Sequence, residues 1–185
     1  MNLELDNIKV QNERIQYKQI YEVNGKQIIE DNDLIEIIAN ILTEIIQQYD
    51  KLPIEFISNF HGKSIPNISI KDYLLRIHKC SNCAQESFIL ALIYIDRLTE
   101  RHKNFLLNSY NIHRVLITSI MLSIKFYDDR YYNNEYYGKV GGISIQEINQ
   151  LERDFLQLIN FRLHIHPSIF YKYREKLLES QQISE

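Results

Sequence analysis

The sequence predicts an all-α fold, and three observations predict it. Only 5 Gly and 3 Pro punctuate 185 residues, so sharp turns are few. In block after block, apolar residues recur at three- and four-residue spacing, the period of one helix face. No stretch requires a strand in the core. With 45% apolar and 24% charged residues, a chain of this length buries roughly 70% of the surface its unfolded form exposes. One domain is therefore expected.

Residues 1–30 are polar and weakly patterned, with Gly25 as a turn, and read as a flexible N-terminal arm. The pattern changes in residues 31–52, where Leu34, Ile37, Ile38, Ile41, Leu42, Ile45, Ile46 and Tyr49 form one face of an amphipathic helix. Asp33 and Glu36 suit its start, because carboxylates accept from unpaired amides and favour the positive helix end. The segment PIEFISNFHGKSIPNI at 53–68 reads as a connector whose Phe56, Ile57 and Phe60 pack down. Ser69 with Asp72 three residues on opens a short helix through Tyr73, Leu74 and Ile77 toward Cys80.

Asn82 and Gln85 suit the start of the next helix. Its apolar set of Phe88, Leu92, Ile95 and Leu98 is joined by Ile89, Ala91, Ile93 and Tyr94. Asn108 or Ser109 suits the start of another, with Ile112, Val115, Leu116, Ile117, Ile120, Met121, Leu122, Ile124 and Phe126 on most sides. Helices apolar all round belong at the centre of a domain, so these two are the expected buried pair. The stretch FYDDRYYNNEYYGKVGG then permits only a short helix around Glu135 to Lys139, ahead of Gly141 and Gly142. Ser144 and Glu147 make a capping-box pattern opening a helix through Ile148, Leu151, Phe155, Leu158 and Ile159. Pro167 sits at the first position of a last helix, 167–185, with Ile169, Phe170, Tyr173 and Leu177 on one face.

Charge and motifs exclude several functions. Twenty-one basic against 24 acidic residues give a net charge of −3, and no Lys/Arg run is long enough to track a phosphate backbone, so nucleic acid is not an expected partner. The N-terminal residues show neither a signal-peptide core nor an Arg-rich transit pattern. Thr118, Ser119 and Ser123 interrupt the longest apolar stretch, so no membrane span is expected and the reading is cytoplasmic and/or nuclear. Cys80 and Cys83 form one C-x-x-C after His78, half of a zinc site or a redox pair; without a second ligand pair or a βαβ setting, the plain reading is two ordinary thiols. His61, His78, His102, His113, His164 and His166 lack ligand spacing, so no metal is assigned. No nucleophile or acid–base pair converges, so neither an enzyme nor a cofactor is expected.

The pieces SIKDYLLRIHKCSNC, FILALIYIDRL, FLLNSYNIHRVLITSIMLSIKFYDD, YYGKVGGIS and INQLERDFLQLINFRL, spanning about residues 53–173, together resemble the P-type, also called U-type, cyclins. The resemblance implies a single five-helix cyclin box at 53–166 with one flanking helix on each side. It also implies a non-catalytic regulatory subunit that binds and activates a cyclin-dependent kinase, as a monomer paired with that kinase. The alternative is a cyclin-box scaffold, or pseudo-cyclin, that binds a kinase or other protein without activating it. A two-repeat cyclin-box transcription factor is a weaker match, since one repeat and net charge −3 leave no basic DNA-binding face. The pattern YLLRIHKC lacks the Met-Arg-x-x-Leu with which cell-cycle cyclins dock substrates.

Lys125 ends an almost wholly apolar helix, where its ammonium must reach water or find acceptors. Glu152 stands on a mostly apolar face of the fifth box helix. Taken alone, the two are either an ion pair tying helices together, contributing ~0–1 kcal/mol, or a polar anchor for a partner's backbone. The resemblance favours the anchor, because the matching cyclin lysine bonds to the kinase beside a matching glutamate. It implies kinase-binding apolar contacts from Leu122, Phe126, Leu156, Phe161 and Leu163, with Phe126 and Phe161 as the energetic anchors. Arg76 and Asp96, charges in otherwise apolar helices, are expected to form a structural ion pair, with each other or with another neighbour.

Overall fold

Two helices that are apolar on nearly every side need covering on every side, and that requirement sets the arrangement of the others. The computed structural model describes residues 31–182; the arm expected at 1–30 lies outside the described residues. Seven helices follow in order: α1 (Asp31–Tyr49), α2 (Ile70–Ser81), α3 (Glu86–Arg101), α4 (Ile112–Tyr127), α5 (Asn134–Gly141), α6 (Ile145–Leu158) and α7 (Pro167–Gln182). Among the described residues there is no strand. The all-α expectation holds, with five helices between one flanking helix on either side.

Helix α4 is the hub, packed against α2, α3, α5 and α6. From Ile112 to Ile124 every residue but Arg114 is buried. Its main partner is α3, where Phe88, Ile89, Leu90, Ala91, Ile93, Tyr94, Ile95 and Leu98 are buried in turn. The flanking helices serve as covers: α1 packs on α2 and α7, and α7 also packs on α3. On α1 the buried stripe is Leu34, Ile35, Ile37, Ile38, Leu42 and Ile46, while Tyr49 is exposed.

Local chemistry starts and stops these helices. Ser69 Oγ accepts from Asp72 N at 3.0 Å, and Ser144 Oγ accepts from Glu147 N at 3.1 Å. Glu147 does not reach back to complete a capping box; its carboxylate goes to Arg114 Nε at 2.6 Å and braces α6 to α4. Asn82 closes α2 instead of opening α3, in the left-handed conformation with φ 46°. A short side-chain amide suits either end of a helix, and only the backbone decides. Helix α3 starts at Glu86 and α4 at Ile112, neither with a side-chain cap, so Asn108 and Ser109 do not cap α4. Ser109 bonds Asp50 at the end of α1, by its amide at 2.9 Å and its hydroxyl at 2.5 Å.

The two adjacent glycines after Val140 answer different needs. A Cβ on Gly141 would sit 2.9 Å from Ile117 Cγ1, so that position needs a close helix approach. Gly142 takes φ 73° and caps α5. In the 53–68 connector only Phe60 is buried, edge-on to Phe105 and Phe155 with ring centroids 5.8 and 6.0 Å away. Phe56 and Ile57, expected to pack down, are largely exposed, although the Phe56 ring still meets Phe105 with centroids 6.4 Å apart.

His113 is buried at the start of α4, with Nε2 donating to Ile68 O at 3.0 Å and its ring edge-on to Tyr73. Burial lowers its pKa below the usual 6.5, the Ile68 bond working against that and the Arg114 charge adding to it. His61 is lowered by burial too. Folded protein therefore binds fewer protons than unfolded chain as pH falls through 6.5, and stability is lost toward acid. Urea unfolding should show that loss between about pH 7.5 and about pH 5.5, with a shallower slope in His113→Gln. Separately, Ser69→Ala and Ser144→Ala should each cost about 1 kcal/mol in the same assay, the ordinary loss on removing a helix cap.

Candidate functional site

Buried along its length apart from Arg114, α4 emerges in its last turn, and there it places Lys125, Phe126 and Tyr127 at the surface rim. The Lys125 ammonium donates to Glu152 Oε1 at 2.5 Å and to Asn134 Oδ1 at 2.9 Å. The Asn134 amide in turn donates to Glu152 Oε2 and to Asn149 Oδ1, both at 2.7 Å. One asparagine thus presents its oxygen to the cation and its nitrogen to the anion, closing a ring of hydrogen bonds across α4, α5 and α6. Side chains of Lys125 and Glu152 are 27% and 19% exposed. An ammonium has three donors and each carboxylate oxygen two acceptor positions, so a donor and acceptors remain for a partner.

Neither Asn134 nor Asn149 was picked out from sequence. In sequence, Asn133 and Asn134 belong only to a stretch that permits no more than a short helix, yet they have distinct tasks. Asn133 caps α5 by accepting from Tyr136 N at 2.9 Å, which sets Asn134 as the first helical residue, facing α6. The signal available was an Asn pair at a helix start nine residues after a lone lysine.

The segment after α6 forms the apolar side of the site. Asn160 and Phe161 both adopt left-handed backbone, with φ 54° and 55°. Asparagine tolerates that region; a phenylalanine pays roughly 1–2 kcal/mol for it. The conformation is held from several sides: Phe161 N donates to Leu156 O at 2.7 Å, Tyr94 Oη to Leu163 O at 2.9 Å, and Arg97 to the carbonyls of Arg162 and His164. Ile165 N donates to Tyr127 Oη at 2.7 Å, which ties the segment to the exposed end of α4 beside Phe126. The Phe161 ring is left 66% exposed. Strained backbone with a large aromatic held out to solvent is a pattern associated with binding.

Of the other expected contacts, Phe126, Leu156 and Leu163 are half-buried at the surface. Leu122 is 3% exposed and lies in the interior, just before α4 emerges, so the free domain does not present it at the surface. Arg76 and Asp96 do not pair with each other. Arg76 faces α5 and donates to Lys139 O at 3.1 Å, at the negative end of that helix, whereas Asp96 faces α7 and accepts from Tyr173 Oη at 2.5 Å. Partial desolvation raises the Asp96 pKa and the Tyr173 bond offsets part of that rise. Cys80 and Cys83 are not joined by a disulfide, and Cys83 is buried.

Comparison with known proteins gives a consistent result. The cyclin family model matches residues 25–163. The chain is similar to Cyclin-U4-1 of Arabidopsis thaliana, 51% identical over 117 residues, covering 63% of this chain and 58% of that protein. It is 37% identical to Cyclin-U4-2 of the same plant over 169 residues, 85% of this chain and 78% of the relative. To Cyclin-P4-1 of Oryza sativa subsp. japonica it is 45% identical over 117 residues, 63% of this chain and 55% of the relative. The chain thus spans little more than half of two of these three relatives.

The bridging amide makes a measurable contribution to the rim. Asn134→Ala leaves the ammonium and the carboxylate each one partner short, and should destabilise the domain by about 1–2 kcal/mol in urea unfolding. An unchanged midpoint would mean that water replaces the amide without loss.

Proposed function

This chain belongs to the cyclin family, among its P- and U-type members, and from that premise we propose that it is a non-catalytic regulatory subunit that binds and activates a cyclin-dependent protein kinase. The observation that carries the reading is the joined Lys125–Asn134–Glu152 array, one turn along α6 from Leu156, whose carbonyl accepts from the amide of the exposed Phe161. A polar anchor with unused hydrogen-bonding capacity next to a held-out aromatic suits a partner's backbone and an apolar side chain together.

In the proposed mechanism, Lys125 and Glu152 bond to main-chain groups of the kinase's mobile regulatory helix while Phe126, Leu156, Phe161 and Leu163 cover its apolar face. Holding that helix inward completes the kinase's own lysine–glutamate pair on the ATP phosphates and frees its activation loop. Moving a kinase from mostly inactive to mostly active takes about 5.5 kcal/mol of preference for the active state. Burying several large apolar side chains, each contributing roughly 1.5–3 kcal/mol, is of the right size before association costs. A pairing of one chain with one kinase, in the cytoplasm and/or nucleus, belongs to the same proposal.

The test is reconstitution of the purified chain with purified cyclin-dependent kinases, reading affinity by calorimetry and activity on a peptide substrate. Lys125→Ala and Glu152→Ala should each weaken binding by ~2–5 kcal/mol while circular dichroism shows a folded domain. Unchanged affinity in both variants would remove the patch from the interface. Tight binding without gain of kinase activity would favour a scaffold over an activator.

A further inference from the structure

Phe161 also lines a second feature, a cleft of about 520 Å³ between the last turns of α3 and the segment following α6. Its wall carries Arg97, Arg101, Arg162 and His164 against a single acid, Glu100. This is a local reversal of sign in a chain whose net charge is −3. Arg97 is committed to the fold through its two carbonyl bonds. Arg101 and Arg162 are exposed, and their guanidiniums have no hydrogen-bond or ion-pair partner among the described residues. Elsewhere in the domain Arg76 bonds Lys139 O, Arg114 bonds Glu147 and Arg153 bonds Gln150.

We infer that this cleft receives a carboxylate-bearing segment of the kinase partner, extending the proposed interface past Phe161. The inference rests on the kinase-binding reading and adds the charge of the surface that must face it. Guanidinium forks match carboxylates two bonds at a time, and two of them beside an exposed aromatic combine the residue types that anchor interfaces. The occupant is assigned a carboxylate over a phosphate because Asp and Glu supply that anion in any kinase chain without modification, and the planar fork meets it in two parallel bonds. Continuity supplies the rest of the argument, since a partner covering Phe161 from the Lys125 side meets this cleft next.

The experiment uses a purified cyclin-dependent kinase that the wild-type chain binds, and compares the double variant Arg101→Glu, Arg162→Glu with Lys125→Ala. At about 50 mM salt the double variant should bind about ten-fold or more weakly, and at roughly 500 mM salt that gap should narrow, with an unchanged thermal midpoint. Equal affinity of wild type and double variant, alongside loss in Lys125→Ala, overturns this inference and leaves the kinase-binding reading standing. Loss of the arginine effect after phosphatase treatment of the kinase overturns the carboxylate assignment in favour of a phosphate. Failure of the wild-type chain to bind any of these kinases overturns both.

Discussion

Everything in this domain follows from the packing of α4 against α3. A helix buried from Ile112 to Ile124 on all sides is stable only if other elements supply a closed apolar jacket. Helices α2, α5 and α6 supply it around α4, and α7 completes it over α3. The close approach at Gly141 is a consequence, since a Cβ there would meet Ile117 Cγ1 at 2.9 Å. With a single set of five helices, α1 and α7 have the task of covering what remains, and they do so partly by packing on each other.

Total burial creates a problem for polar side chains, and α4 solves it with its own backbone. Thr118 donates to Arg114 O at 2.7 Å and Ser119 to Leu116 O at 3.1 Å, so neither hydroxyl needs water. Ser123 lies 2.8 Å from both Ser87 O and Ile120 O, joining α4 to α3 within the core. A lysine has no such internal option. Lys125 is tolerated because it falls where the jacket ends, and there it finds Asn134 and Glu152. The polar rim is thus the exit of the core helix, positioned by the same packing that buries the rest of it.

How much of this was legible in the sequence depended on whether the deciding interaction was local. Ser69 and Ser144 could be read as caps because their amide donors lie three residues away. Asn82 could not, because its role turns on a backbone angle. The Lys125–Glu152 pair was legible through the family resemblance, but the Asn134 bridge between them depends on how α5 meets α6. Leu122 was misplaced for a related reason: on a helix apolar all round, nothing in the sequence marks which residue faces a partner and which a neighbouring helix. Arg76 and Asp96 failed as a pair because α2 and α3 turn these side chains to different neighbours, α5 and α7.

The segment from Asn160 to Ile165 shows how the fold holds a strained stretch rigid at its surface. An exposed phenylalanine in left-handed backbone would relax in a free loop, yet here Tyr94, Arg97 and Tyr127 each bond to the segment's main chain. Arg97 and Tyr94 come from α3 and Tyr127 from α4, so the central helix pair itself clamps the segment. The cost of the strained residue is therefore met during folding, and a partner that binds Phe161 does not meet it again. The Lys125 array is prepared in the same manner, its geometry set by Asn134 before anything docks. In both places the exposed side chains are fixed by hydrogen bonds made within the domain itself, the preorganisation on which the proposed kinase contact would draw.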